Sequence, residues 1–152
     1  MNYVERLRSS IGHDPIILVG AVVIVLDDKN RILLQQRVSP HGKWGLPGGL
    51  MELTESTEET AKREVLEECG LEIDKLELID VVSGKDCYIK VSNGDEFYSV
   101  TVAYVSCDYT GNLQISDNES LDLRFHTYKE LPDYIVGSHL NIINKYMGSK
   151  RD

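Results

Sequence analysis

The sequence predicts a mixed α/β domain, with a mixed β-sheet covered by helices. Three observations carry this. Strand patterns stand before, between and after helical ones, which argues against an all-parallel wound sheet. A capped amphipathic helix occupies residues 56–69. The second half is mostly strand: Asn93-Gly94 is a hairpin signal, and Leu121, Leu123 and Phe125 alternate with Asp122, Arg124 and His126 at the period of a half-buried strand.

The elements follow in chain order. Tyr3, Val4, Leu7 and Ile11 share one face of a short helix over 3–11, which Gly12 can end. Ile16–Leu26 is an unbroken apolar run rich in β-branched residues and reads as a strand buried on both faces. A turn at Asp28–Asn30 leads to a second strand over 31–37. Trp44–Gly49 is glycine-rich and is expected to be irregular. In the central helix, Ser56 and Glu59 form a capping box, Ala61, Val65 and Cys69 recur every four residues, and Gly70 suits the left-handed C-terminal position. Strands are expected over 76–82, 88–91 and 96–106, with a turn at 109–112 and a strand over 121–125. Leu140, Ile143 and Met147 place a closing helix over about 138–147.

The chain of 152 residues fits one core, and a single domain over 1–152 is expected. It holds 16 basic against 25 acidic residues, a net charge of −9. Such a chain is poorly suited to gripping long nucleic acid or an anionic membrane through bulk charge. A phosphorylated small molecule would need a local cation to reverse the sign. The 11-residue apolar run is shorter than the roughly 20 residues of a membrane helix, and acidic Glu5, Asp14 and Asp27 break a signal-peptide pattern. Cys69, Cys87 and Cys107 are odd in number and form no CxxC, so free thiols in a reducing cytoplasm are expected.

Glu64, Glu67 and Glu68 stand at i, i+3 and i+4 and share one helix face. Like charges about 6 Å apart at an effective dielectric near 20 repel by on the order of 3 kcal/mol per pair. Either the face is fully solvated, where that cost is small, or the acids converge on a cation. An all-oxygen set suits Mg²⁺ or Mn²⁺ and not zinc. Pro47-Gly48-Gly49 leads into the helix, and its glycines let backbone approach an ion or phosphate closely.

The spacing Gly49-x5-Glu55-x7-Arg63-Glu64-Val65-x-Glu67-Glu68-x-Gly70-Leu71 resembles, without departure, the box of the Nudix (MutT-like) hydrolases. Chance agreement at seven fixed positions and two aliphatic ones is on the order of one in ten million for a chain of this length. Looser likenesses are Ile32–Arg37, Trp44–Pro47 and Glu130-Leu131-Pro132.

The resemblance implies an α/β/α sandwich and hydrolysis of a nucleoside diphosphate linked to another moiety. It implies Glu64, Glu67 and Glu68 as ligands of Mg²⁺ or Mn²⁺, with the carbonyl of Gly48 in addition. Glu55 and Arg63 become a structural pair, and Glu64 or Glu67 the general base. A further acid often comes from outside the box, here Glu119 or, as rival, Glu96. Arg37 and Lys43 are candidates for phosphate contact, and Trp44, Tyr88 and Tyr98 for stacking a base. The four histidines show no ligand spacing and read as surface or loop residues. The partner is a small nucleotide: a nucleoside triphosphate, ADP-ribose or another nucleotide sugar, a dinucleoside polyphosphate or a capped RNA end. A homodimer would use the N-terminal helix and the 96–106 strand. The contrasting reading is a non-catalytic module that senses a nucleotide.

Overall fold

The computed structural model describes residues 1–115 and 118–149. In chain order the elements are α1 (Tyr3–Ile11), β1 (Ile16–Val25), β2 (Ile32–Arg37), β3 (Trp44–Gly45), β4 (Gly48–Leu50), α2 (Thr57–Cys69), β5 (Leu71–Val82), β6 (Tyr88–Lys90), β7 (Glu96–Gly111), β8 (Ser120–His126) and α3 (Gly137–Ser149). The mixed sheet runs β4-β1-β7-β5, with β6 also on β7; β1 and β7 are parallel and the other pairs antiparallel. A second, antiparallel sheet runs β3-β2-β8.

β1 explains the sandwich. From Gly20 to Val25 every residue is buried, because both faces of the strand are covered. Ala21, Val23 and Val25 pack with Ala61, Val65 and Cys69 of α2, while Val22 and Ile24 pack with Ile142, Ile143 and Met147 of α3. Each fully buried aliphatic side chain contributes about 1.5–3 kcal/mol. Ile17 departs from the expected two-sided burial: at the open end of the strand it is 69% exposed.

The central helix forms as its sequence predicts. Ser56 Oγ accepts from the Glu59 N–H and Glu59 Oε1 from the Ser56 N–H, both at 3.0 Å. Gly70 ends the helix at φ +75°. At the other terminus, Asn2 caps α1 by accepting from the Glu5 N–H.

Three expectations need correction. Trp44–Gly49 is not irregular: it holds β3 and β4, split by Leu46-Pro47, and each strand joins a different sheet. β5 begins at Leu71 and not at 76, because Leu71 and Ile73 alternate with Glu72 and Asp74 directly after the helix. β7 runs through the expected turn to Gly111, paired with Leu71.

Candidate active site

Gly48 and Gly49 lie on β4, at the edge of the mixed sheet, with α2 alongside. Their lack of side chains is a steric requirement. A Cβ on Gly48 would stand 2.1 Å from the Ala21 carbonyl oxygen, and one on Gly49 would stand 2.4 Å from Glu64 Cδ. Gly48 thus lets β4 lie close against β1, and Gly49 lets α2 bring the Glu64 carboxylate against the strand. Glu68, only 5% exposed, accepts the Gly48 N–H through Oε1 at 2.8 Å.

Arg63 holds the acidic face together. Its Nε donates to Glu55 Oε2 at 2.6 Å and its Nη2 to Glu55 Oε1 at 3.0 Å. Nη1 donates to Glu64 Oε1 at 2.7 Å and to Glu67 Oε2 at 3.3 Å, and Nη2 also reaches the Leu50 carbonyl at 3.2 Å. One cation thus separates carboxylates that would otherwise repel. Glu55 further accepts from the Glu52 N–H and the Thr60 hydroxyl. The Arg63 bonds, with these two, hold the Glu55 pKa down to about 2. Burial pushes the Glu64 pKa up against the pull of Arg63, and the nearby charges of Glu67 and Glu119 push the same way.

This edge opens onto a cavity of about 500 Å³. Gly48, Gly49 and Glu68 line one side, with Arg37 and Glu119 beside them. Arg37 ends β2. Burial lowers its pKa, and the charges of Glu68 and Glu119 oppose that fall. The Val38 N–H donates to the Glu119 carbonyl at 3.0 Å, which ties the start of β8 to the end of β2. Ile89 of β6 and Phe97 of β7 form an apolar part of the wall, with Ser99 and Thr101 on the same face of β7.

His139 of α3 also lines the cavity and is buried. Its Nδ1 accepts the Leu46 N–H at 3.0 Å, so the imidazole is neutral with its proton on Nε2. Burial, then the charge of Arg37, press its pKa down to about 3. Both side chains crowd the open space at Gly45: a Cβ there would lie 3.0 Å from His139 Nδ1 and 3.1 Å from an Arg37 nitrogen.

Among the described residues, no three His, Cys, Asp or Glu side chains converge to hold a metal ion. The donor set that α2 and β4 present is carboxylate and carbonyl oxygen, which fits a hard divalent cation.

A NUDIX domain model matches residues 17–146. The chain belongs to the Nudix family of pyrophosphohydrolases. A Bacillus subtilis Nudix relative named "Putative 8-oxo-dGTP diphosphatase" is 32% identical, over 88% of this chain and 82% of its own length. An ADP-ribose pyrophosphatase of Methanocaldococcus jannaschii is 29% identical, over 84% of this chain and 72% of its own. A Caenorhabditis elegans Nudix relative is 34% identical over 78% of this chain, which spans 31% of that protein's length. Among solved structures, the MutT NUDIX hydrolase from Burkholderia pseudomallei superposes with a TM-score of 0.73 at 26% identity, over 84% of this chain and 96% of the other. Nudix hydrolases generally use divalent metal ions.

Gly49 and Glu68 of the Nudix box thus reach the cavity, and Arg37 and Glu119 join them from the second sheet; Glu64 and Glu67 stand on the same helix but are not among the cavity's lining residues. The other candidates go elsewhere. Glu96 pairs with the Tyr88 hydroxyl at the outer end of β7. Lys43 is exposed and is not among the cavity's lining residues; its carbonyl accepts the Arg37 N–H at 2.7 Å. Tyr88 and Tyr98 pack on each other at a tilt of 56°, ring centroids 5.4 Å apart, on the face of the sheet opposite Ile89 and Phe97. Trp44 packs edge-on against His126 and against the core. His139, expected at the surface or in a loop, is instead buried on α3, and the wall residue Phe97 was not among the expected site residues. Strand alternation held the signal for Phe97, which shares its face with Ser99 and Thr101. His139 precedes the apolar stripe of α3, and nothing in its spacing marks it.

Proposed function

We propose that this chain is a divalent-metal-dependent pyrophosphohydrolase acting on a nucleoside diphosphate linked to another moiety. The observation that carries the reading is the seating of Glu64 and Glu68 against Gly49 and Gly48, at the rim of a cavity that also holds Arg37. Glu64, Glu67, Glu68, Glu119 and the Gly48 carbonyl are the groups that hold Mg²⁺ or Mn²⁺ in this account. When bound, the ion offsets the charge of the diphosphate and lowers the pKa of water.

The chain's own groups then divide the work. Arg37 binds a phosphate oxygen, its desolvated guanidinium being a stronger partner than an exposed one. Glu55 and Arg63 fix α2 against the β4 loop and so orient the acids. Glu64 or Glu67 accepts the proton of the attacking water. The water oxygen bonds to phosphorus as the bridging anhydride P–O bond breaks. The products are a nucleoside monophosphate and a phosphorylated remainder. The apolar wall of Ile89 and Phe97 receives the nucleoside, whose base offers a flat apolar face. Both substrates named among the relatives, 8-oxo-dGTP and ADP-ribose, have this form. The free thiols and acidic charge suit the cytoplasm.

A hydrolysis panel tests the reading. ADP-ribose, nucleotide sugars, dinucleoside polyphosphates, and normal and 8-oxo nucleoside triphosphates are offered with Mg²⁺ and then Mn²⁺. Cleavage of one class is expected. Nucleotide binding without cleavage of any would favour a sensing module instead.

A further inference from the structure

α1 lies before the stretch that matches the NUDIX domain, which begins at residue 17, and it buries no residue completely. Its polar contacts nevertheless reach two separate segments, the β4–α2 loop and the β6–β7 hairpin. At its start the Tyr3 N–H donates to Glu52 Oε1 at 3.0 Å, in the loop between β4 and α2. Toward its end stands Arg8, whose side chain is only 11% exposed. Arg8 Nη1 donates to the Gly12 carbonyl at 3.0 Å and the Asp14 carbonyl at 2.7 Å, and Nη2 to the Glu96 carbonyl at 2.7 Å. Its Nε faces Asp95 Oδ2 at 3.6 Å, and Asp95 Oδ1 meets His13 Nδ1 at 2.7 Å. The His13 ring lies against Gly94.

The Glu96, Asp95 and Gly94 contacts fall at the turn of the β6–β7 hairpin, while the Gly12 and Asp14 carbonyls tie Arg8 to the α1–β1 connection. That hairpin needs support. β6 has three residues, all exposed, and pairs only with β7 among the described strands. β7 is held by β1, with Phe97 paired to Ile16, so it is the edge strand β6 and the turn that have little else to hold them. Yet the pair Ile89 and Phe97, facing each other across this hairpin, lines the cavity.

We propose that α1 is a specificity element: Arg8 clasps the β6–β7 hairpin and thereby positions Ile89 and Phe97 as the wall that recognises the nucleoside base. Arg8 is a positioning residue, since it touches neither the acids nor the cavity. The inference rests on the pyrophosphohydrolase reading for its ligand class, a nucleotide with an anionic and an apolar end.

The test separates those two ends. Wild type and Arg8→Gln are titrated calorimetrically, in Mg²⁺, with AMP and with inorganic pyrophosphate, which has no base. Hydrogen exchange of residues 88–98 is followed in parallel. Loss of a buried, charge-assisted clasp should speed hairpin exchange and weaken AMP binding by about tenfold or more, with pyrophosphate binding within about twofold. Unchanged hairpin exchange overturns the proposal, as does a loosened hairpin with unchanged AMP affinity. Equal weakening of both ligands also overturns it, because α1 would then act on the whole site. Should Arg8→Gln fail to fold, Asp95→Asn carries the same measurements, since it removes the ion pairs with Arg8 and His13 and keeps an oxygen that can accept from Asn93 Nδ2. Wild-type protein that binds AMP but cleaves no diphosphate would refute the proposed function, leaving the clasp to be judged by the variants. Wild-type protein that does not bind AMP refutes the clasp's role in recognition.

Discussion

The carboxylate of Glu64 occupies the space where a side chain at Gly49 would begin, with Cδ 2.4 Å from the position of the missing Cβ. This relationship gives the first glycine of the box a physical reason. Glu64 stands one turn before Glu68, and Glu68 takes the neighbouring Gly48 N–H. The strand thus seats two acids on consecutive residues. Gly49→Ala should therefore displace Glu64, lower turnover by at least about tenfold, and cost about 1–3 kcal/mol from overpacking. Steady-state kinetics and denaturant unfolding check both. Full activity would mean that the seat of Glu64 is not needed.

Arg63 is expected to matter for stability as well as for orientation. Arg63 and Glu55 are 29% and 16% exposed, and five further donors or acceptors meet in their cluster. Arg63→Gln should destabilise the fold by about 2–4 kcal/mol, because it leaves Glu55 and Glu64 without their shared cation. Arg63→Lys should recover little of this, since an ammonium cannot make the two-nitrogen contact with Glu55. Denaturation midpoints of the two variants decide the matter.

Arg37→Ala is expected to raise KM by about tenfold or more with a smaller change in kcat, as loss of a phosphate contact made in ground and transition state alike would do. A change in thermal stability without a change in KM would make Arg37 a structural residue of the β2–α3 contact.

His139 gives a pH signature. Its folded pKa, about 3, lies below its ordinary value of 6.5. The unfolded chain therefore takes up a proton that the folded chain refuses. The stabilisation is present above pH 6.5 and is lost as pH falls from there toward 3. From pH 7.5 to pH 5 this amounts to about 2 kcal/mol. His126, also lowered by burial, contributes in the same direction, so a variant is needed to isolate His139. His139→Asn keeps an acceptor for the Leu46 N–H and removes the titration. The stability gap between wild type and variant should narrow by about 2 kcal/mol over that interval. A constant gap would show that folded His139 takes up the proton as readily as the unfolded chain does.

The parts of the fold written in local chemistry were legible. The capping box, Gly70 and the spacing of Ala61, Val65 and Cys69 place α2 within a residue of its observed bounds. The unbroken apolar run of β1 reports burial on both faces, because each face meets a different helix. What escaped depends on partners distant in sequence. β3 and β4 are too short to show a period, and they exist because β2 and β1 supply their hydrogen bonds. The alternation at the start of β5 covers only Leu71–Asp74, and three register shifts beyond Ile73 break it. At the site, spacing puts the box acids on one helix face, and only the resemblance to the Nudix box gives them a role as ligands. Choosing between the Phe97 and Tyr98 faces needed the register of β7 on β1, and the burial of His139 needed the packing of α3 against β3.

The central claim is that the α2 acids hold the metal that hydrolysis requires. The most direct measurement is a Mn²⁺ titration of wild type, Glu64→Gln and Glu67→Gln, followed by calorimetry and by turnover of the best substrate in the panel. The account predicts that each variant stays folded, binds Mn²⁺ at least about tenfold more weakly, and turns over at least about a hundredfold more slowly. Wild-type metal affinity and turnover in both variants would contradict it and return the acidic face of α2 to a solvated surface.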